Sequence, residues 1–340
     1  MESLLRSWDG EELVVRFDRP TGAWLLVGIH STRLGPAVGG TRMKPYACLD
    51  DAVRDVLRLS RGMSMKWAAG GLDFGGGKAV LMVPPRLEQD ARRGLLLRYG
   101  ELLQQLGGLF MTGQDSGTSE QDMVLIAERA APFVHGLPGG AGDPAPYTAR
   151  GVLTALEVTA ERLFDDGLSG RRVLIQGLGA VGRRIVAPLR QAGAVVAFSD
   201  VDPVAVEAGR ALELPFVAPD EVYATPCDLF APCAFGAILD ERTIPQLRCR
   251  GVAGAANNQL ATPDSAPALA ERGILYAPDF IANCGGAVGV LAVEQARTSR
   301  EQALERVEQA VRTNLALVFD RASGGDTDAA ATALAMERLA

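Results

Sequence analysis

The chain has 340 residues, 48% hydrophobic and 22% charged, with a net charge of −7, the make-up of a soluble globular protein long enough for two domains. No basic run marks a nucleic-acid surface, and no apolar stretch approaches the ~18 residues of a membrane span. Two histidines, His30 and His135, and five cysteines without a CxxC pair argue against a metal site and against a histidine-dependent hydrolase or protease.

In chain order, MESLLRSWDGEELVV has no basic segment leading into an apolar core, so no secretory leader is expected. Free thiols then suit a reducing cytoplasm. Residues 12–30 read as two short strands around the turn DRPTG, followed by a Gly/Pro loop, STRLGPAVGGTRM. Apolar residues at helical spacing behind an Asp-Asp start predict a helix from Leu49 to Met63. The next stretch, Arg61 to Val80, is RGMSMKWAAGGLDFGGGKAV. It holds Lys66 and Lys78, two of only three lysines (the third is Lys44) among 34 basic residues. Arginine keeps its proton at any cellular pH, whereas burial or a neighbouring cation lets a lysine amine release one. Lysines kept in a chain that writes its cations as arginine therefore point to a removable proton. GGGKAV is not a phosphate-binding loop, because Leu72 stands where the first Gly belongs and Ala79 where Ser or Thr would reach Mg²⁺.

A buried strand runs from Lys78 to Pro84-Pro85, a helix from Asp90 to Leu106, and a strand enters the polar loop TGQDSGTS, with another helix at Glu120 to Ala130. Asp115 in that loop is either an ordinary turn residue or the acid that a lysine base needs nearby. Gly136 to Tyr147, the segment densest in Gly and Pro, reads as the connection between domains. After a helix from Ala149 to Phe164 comes a strand, GxGxxG and a helix: Gly177 permits the turn, Gly179 lets a pyrophosphate approach the backbone, and Gly182 allows close packing. Ala180 and Val181 complete the loop. The second strand ends in Asp200, twenty-three residues after Gly177, where a carboxylate binds a ribose 2′-hydroxyl and repels a 2′-phosphate. Val201 and its neighbours offer no arginine, so NAD is favoured over NADP. Short apolar runs (DLFAPCAF, GVAGAANNQ, GILYAP) then alternate with helices, as in an α/β doubly wound parallel sheet. Glu294 to Phe319 reads as one helix, and DAAATALAMERLA as the last.

IHSTRLGPAVGGTRM, LRLSRGMSMKWAAGGLDFGGGKAV, TGQDSGTS, PAPYTARGV, QGLGAVG, DLFAPCAFGAIL, VAGAANNQL and LYAPDFIANCGGAVGV, in this order over nearly the whole length, resemble the leucine, phenylalanine and valine dehydrogenases, relatives of glutamate dehydrogenase. The resemblance implies an α/β fold of two domains with the active site in the cleft between them: residues 1–135, joined by a C-terminal helix at 320–340, form the substrate, catalytic and oligomerisation domain, and 136–319 a Rossmann-type NAD-binding domain. It implies that Lys66 and Asn258 bind the substrate carboxylate, that Lys78 is the unprotonated amine, and that Asp115 shuttles a proton to the substrate nitrogen. Thr148, Ala231, Cys233, Ala234, Ala255, Ala256, Asn257 and Asn283 would hold the nicotinamide and its ribose. Val38, Gly39, Gly40, Met63, Gly113, Ala287 and Val290 would surround the substrate.

The implied reaction is reversible oxidative deamination of an L-amino acid to a 2-oxo acid and ammonia. No Lys or Ser at Val38, Gly113, Ala287 or Val290 awaits a γ-carboxylate, so an apolar side chain is expected, aromatic (phenylalanine, tryptophan) or branched (leucine). Gln114, Ser116 and Cys284 depart from the family pattern, and the chain ends soon after its last helix, so a homodimer is as compatible as an octamer. Two other readings stay open: a biosynthetic dehydrogenase for an unusual 2-oxo acid, and a non-catalytic NAD-binding regulatory protein.

Overall fold

The computed structural model describes residues 2–340. The chain divides into two units, one running to Gly142 and including Val293–Ala296 and Ala335–Ala340, the other comprising Asp143–Ala292 and Arg297–Leu334. The boundary expected at 135/136 thus falls between Gly142 and Asp143, and of residues 320–340 only the last six join the first unit. Glu294 explains the first difference. Its carboxylate accepts the backbone N–H groups of Gly136 (3.0 Å) and Ala141 (3.1 Å) and pairs with His135 Nδ1 at 3.0 Å, which ties this Gly-rich loop to the first unit. Among the described residues no helix is long and apolar enough to cross a membrane.

The first unit contains α1 (Glu2–Ser7), β1 (Glu12–Asp18), β2 (Ala23–Ser31), β3 (Ala37–Lys44), α2 (Leu49–Ala69), β4 (Gly75–Met82), α3 (Gln89–Gln105), β5 (Phe110–Gln114) and α4 (Glu120–Ala130). Its sheet has the order β1-β2-β4-β3-β5; β2 runs antiparallel to β1 and β4, and β3 parallel to β4 and β5. Period-two alternation splits the buried residues between two faces. Leu26 and Val80 meet Ala52, Val53 and Val56 of α2, whereas Leu25, Val27 and Leu81 meet Leu95, Tyr99, Met123 and Ile126 of α3 and α4.

Two sequence expectations are corrected here. The Gly/Pro segment ahead of Lys44 is a loop only to Pro36; Ala37–Lys44 is β3, paired on both edges. The helix expected to stop at Met63 continues to Ala69, which places Lys66 in its last turn.

The second unit begins with α5 (Ala145–Leu163), which starts four residues before the expected Ala149, and continues with β6 (Arg172–Gln176), α6 (Gly182–Gln191), β7 (Val195–Ser199), α7 (Pro203–Ala211), β8 (Leu229–Pro232), β9 (Gly251–Val252), α8 (Ser265–Glu271), β10 (Leu275–Tyr276), α9 (Asp279–Ala282), α10 (Gly285–Glu294), α11 (Arg300–Ala322) and α12 (Thr327–Leu339), except that the last two residues of α10 and the last five of α12 belong to the first unit. All its strands are parallel, in the order β10-β9-β8-β6-β7. From β6 the chain goes to β7 on one side and later to β8 on the other, so the switch point lies at the C-terminal end of β6, where doubly wound sheets take their ligands. The single helix expected over 294–319 is broken between Glu294 and Arg300. Ser299 caps α11 by accepting from Gln302 N, and the Gln302 side chain returns the bond, so the second helix has its own start signal.

Candidate active site

In the first unit glycines decide how closely the elements approach. A Cβ on Gly76 would lie 2.1 Å from Ser64 N and Oγ, and one on Gly77 would lie 2.6 Å from Phe110. The run before Lys78 is therefore a strand stripped of side chains so that α2 can lie on one face and Phe110 on the other. With Ser64 pressed against Gly76, Lys66 stands two residues further along α2 and Lys78 two residues further along the same face of β4.

Lys78 is buried, and its Nζ lies 3.2 Å from Asp115 Oδ1. Asp115 follows the end of β5 in a loop fixed by Thr118, whose hydroxyl accepts from Asp115 N at 3.0 Å and lies 2.9 Å from the Thr41 carbonyl. Burial pushes the Lys78 ammonium below the usual lysine range; Asp115 opposes the shift, while Arg42 and Lys66 add to it. Burial alone would raise the Asp115 carboxyl, but Lys78 and Arg42 outweigh it and hold the group below the ordinary carboxylate range. The pair is an ionised acid beside an amine made reluctant to hold its proton.

Gly40 underlies the pair, since a Cβ there would meet Asp115 Cβ at 2.8 Å and Lys78 Nζ at 3.3 Å. Gly113 is the register partner of Gly40 on β5 and faces His135. The Gly39 Cα faces the Gly77 carbonyl and Met63, while the Val38 carbonyl accepts from Trp67 Nε1 at 2.9 Å. Lys66, Lys78, Asp115, Val38, Gly39, Gly40, Met63 and Gly113 thus all belong to this unit. Arg42, Asp55 and Thr118 had no sequence signal. Arg42 Nε binds Asp115 Oδ2 at 3.0 Å and its Nη1 binds Asp55 Oδ2 at 3.1 Å, yet one arginine among many carries no mark in a chain so rich in them.

In the second unit the loop after β6 has the shape a dinucleotide needs. Gly177 has φ +97° and lies so near Ala234 that a Cβ would meet it at 2.7 Å; at Gly182 a Cβ would strike the Gly177 carbonyl. At Gly179 a Cβ would meet nothing within 4 Å, which leaves the space open to a ligand. Ala180 and Val181 lead into α6, so its first N–H groups point from this loop. Asp200 Oδ2 accepts from Leu178 N at 2.7 Å and its Oδ1 from Asp202 N at 2.9 Å, which holds the carboxylate at the end of β7 beside the exposed Val201. These residues fit a dinucleotide.

Asn283 Nδ2 donates to the Ala255 carbonyl (3.2 Å) and to Asn257 Oδ1 (2.9 Å), tying together the predicted nicotinamide loop of Ala255, Ala256 and Asn257. Gln259, which the sequence reading missed, is fully buried and binds the Gly254 and Ala256 carbonyls. Asn258 takes the left-handed conformation at φ +53°, one of the few positions outside glycine to do so. Thr148 sits in the first turn of α5 against Gly286, and Ala231 lies on β8, followed by Cys233 and Ala234. Ala287 and Val290, three residues apart, share the partly exposed face of α10.

The model for the Glu/Leu/Phe/Val dehydrogenase dimerisation domain matches residues 23–131, and that for glutamate/leucine/phenylalanine/valine dehydrogenase matches residues 139–209 and 206–340. A phenylalanine dehydrogenase from Lysinibacillus sphaericus is 41% identical over 92% of this chain and 84% of its own. A leucine dehydrogenase from Thermoactinomyces intermedius is 39% identical over 99% and 91%. Among solved structures, the L-tryptophan dehydrogenase from Nostoc punctiforme superimposes with a TM-score of 0.86 at 35% identity, covering 100% of this chain and 98% of that one. The chain belongs to the glutamate, leucine, phenylalanine and valine dehydrogenase family, and it is an amino acid dehydrogenase.

Proposed function

We propose that the protein uses NAD to deaminate a hydrophobic L-amino acid oxidatively, giving the 2-oxo acid and ammonia, and catalyses the reverse reductive amination. The observation that carries this reading is the buried Lys78 amine 3.2 Å from an ionised Asp115, with Lys66 acting on the same amine. Lys66, as a cation, binds the substrate carboxylate, with Asn258 assisting. The nicotinamide supplies the hydride acceptor for Cα. Lys78 takes a proton from the water that attacks the resulting iminium carbon, and Asp115 carries the amine proton as the carbinolamine collapses and ammonia leaves. Lys78 must be unprotonated at the start, so activity rises with pH as this amine loses its proton, below the range of an ordinary lysine.

Gly177, Gly179 and Gly182 with Asp200 would hold the pyrophosphate and adenosine ribose, and Thr148, Asn283 and the 255–257 loop the nicotinamide side. The acid at Asp200 supports NAD over NADP. None of the residues that the family resemblance assigns to the substrate side chain, Val38, Gly113, Ala287 and Val290, carries a charge, which supports an apolar substrate, aromatic or branched. The dimerisation domain named for residues 23–131 supports a homo-oligomer, a dimer or an octamer, and five cysteines outside any disulfide support a cytoplasmic site. NADH formation at alkaline pH, measured across the twenty L-amino acids with NADP in parallel, tests the reading. It requires turnover of at least one apolar amino acid and a preference for NAD; a protein inert toward all twenty would refute it.

A further inference from the structure

Asp115 stands beyond the last residue of β5, where the sheet no longer fixes a side chain. Two cations divide its carboxylate: Oδ1 faces Lys78 Nζ at 3.2 Å and Oδ2 accepts from Arg42 Nε at 3.0 Å. Arg42 reaches there from β3, and its other arm is held by Asp55 of α2 at 3.1 Å. Asp55 is fixed in turn by the Tyr46 hydroxyl at 2.7 Å and by Arg58 at 3.0 Å, with Lys44 Nζ at 3.9 Å. We propose that Arg42 is a positioning residue for this chemistry: clamped by Asp55, its guanidinium occupies one Asp115 oxygen, leaves the other to Lys78, and places a permanent positive charge beside the pair. What the pair does rests on the reading above; where Arg42 sits does not.

The charge balance gives the reason. A single carboxylate facing a single lysine forms an ordinary ion pair, which locks the lysine as ammonium and unfits it as a base. Here one carboxylate, Asp115, serves Lys78 and Arg42, with Lys66 acting on Lys78 from α2. Arg42 cannot shed its proton, and the proposed role of Lys66 requires it to keep its own. The excess positive charge is relieved where a proton can leave, at Lys78. The guanidinium holds Asp115 from Nε and Asp55 from Nη1 in one fixed plane, whereas a lysine ammonium at 42 would be a mobile point charge, supplying the charge without the placement.

The test uses the full-length wild type, Arg42→Gln and Arg42→Lys, with two measurements. One is the pH profile of kcat for the best amino acid. The other needs no turnover: pH-dependent acetylation of Lys78 by acetic anhydride, read by peptide mass against the exposed Lys44. In Arg42→Gln both the acid limb of kcat and the Lys78 labelling midpoint move to higher pH by about one unit, and kcat at a pH below the limb falls about tenfold with little change in KM. Arg42→Lys brings the midpoint back toward the wild type while kcat stays reduced. An Arg42→Gln enzyme that loses kcat equally at every pH and keeps the wild-type midpoints would make Arg42 a mere tie between β3 and α2, and overturn the proposal. Should the Gln variant not fold, wild-type kcat in Arg42→Lys overturns it alone. A wild type that oxidises no amino acid, while Arg42→Gln still moves the labelling midpoint, would sink the proposed reaction and leave the role of Arg42 standing.

Discussion

The proposed reaction puts two demands on the side chain at position 78: it has to carry a removable proton, and it has to be buried enough to give that proton up. Lysine meets the first and β4 the second, with about 6% of the residue exposed. Arginine at 78 would keep the charge and lose the base. Lys78→Ala and Lys78→Arg should therefore both cost roughly 10²–10⁴-fold in kcat, the usual worth of a positioned general base, while NADH still binds by fluorescence titration. Near-normal turnover in the arginine variant would remove Lys78 from the mechanism. The scarcity of lysine in this chain points to Lys66 and Lys78, and the need of a base for an acid points to Asp115; of these, Lys78 and Asp115 lie 3.2 Å apart in the structure. Arg42 was not legible, since its meaning lies in a bond to a residue 73 positions away, which composition cannot register.

At the scale of elements, the legible parts are those whose signals are local. α4 carries its start in Ser119 and Asp122, which exchange side-chain and backbone bonds as a capping box, and it spans the expected residues. β3 was hidden because Gly, Pro and Gly-Gly are loop signals locally, and only pairing with β4 and β5 makes a strand of them. The same glycines make the packing of α2 on β4 testable. Gly76→Ala puts a methyl 2.1 Å from Ser64 backbone, so α2 has to shift. A loss of about 1–3 kcal/mol in urea unfolding is expected from such overpacking, with a raised KM because Lys66, the proposed ligand of the substrate carboxylate, rides on the displaced helix. Unchanged stability and KM would mean that the close approach is not required. In the second unit, the Asp328 carboxyl at the start of α12 is pushed up to about 6, first by burial and then by Asp279 and Asp326. The folded chain thus keeps a proton that the unfolded chain releases near 3.8, so this group lowers stability as pH rises from about 4 to about 6 and holds it down above that. Asp328→Asn should recover on the order of 1–2 kcal/mol at pH 8, after discount for its partial exposure, and little at pH 4. A gain that is equal at both pH values would contradict this origin.

For the whole molecule, the two units have separate cores, and the residues fitted to the dinucleotide belong to one of them. If NAD is the cofactor, as proposed, a hundredfold excess over its dissociation constant stabilises the state that binds it by about 2.7 kcal/mol, and that stabilisation should register as slower hydrogen exchange in β6, β8 and the loop between Gly177 and Gly182. Gly179 separates the cofactor's demand from the fold's. Its φ is not positive, and a Cβ there meets no atom within 4 Å, so nothing in the free protein asks for glycine. Gly179→Ala should then melt at the wild-type temperature without ligand and fail to show the rise of several degrees expected of the wild type with the proposed cofactor, NAD. A variant that melts early without NAD would show that this glycine serves the fold; one that gains full stabilisation from NAD would show that no pyrophosphate approaches the backbone there, and the dinucleotide would have to lie elsewhere.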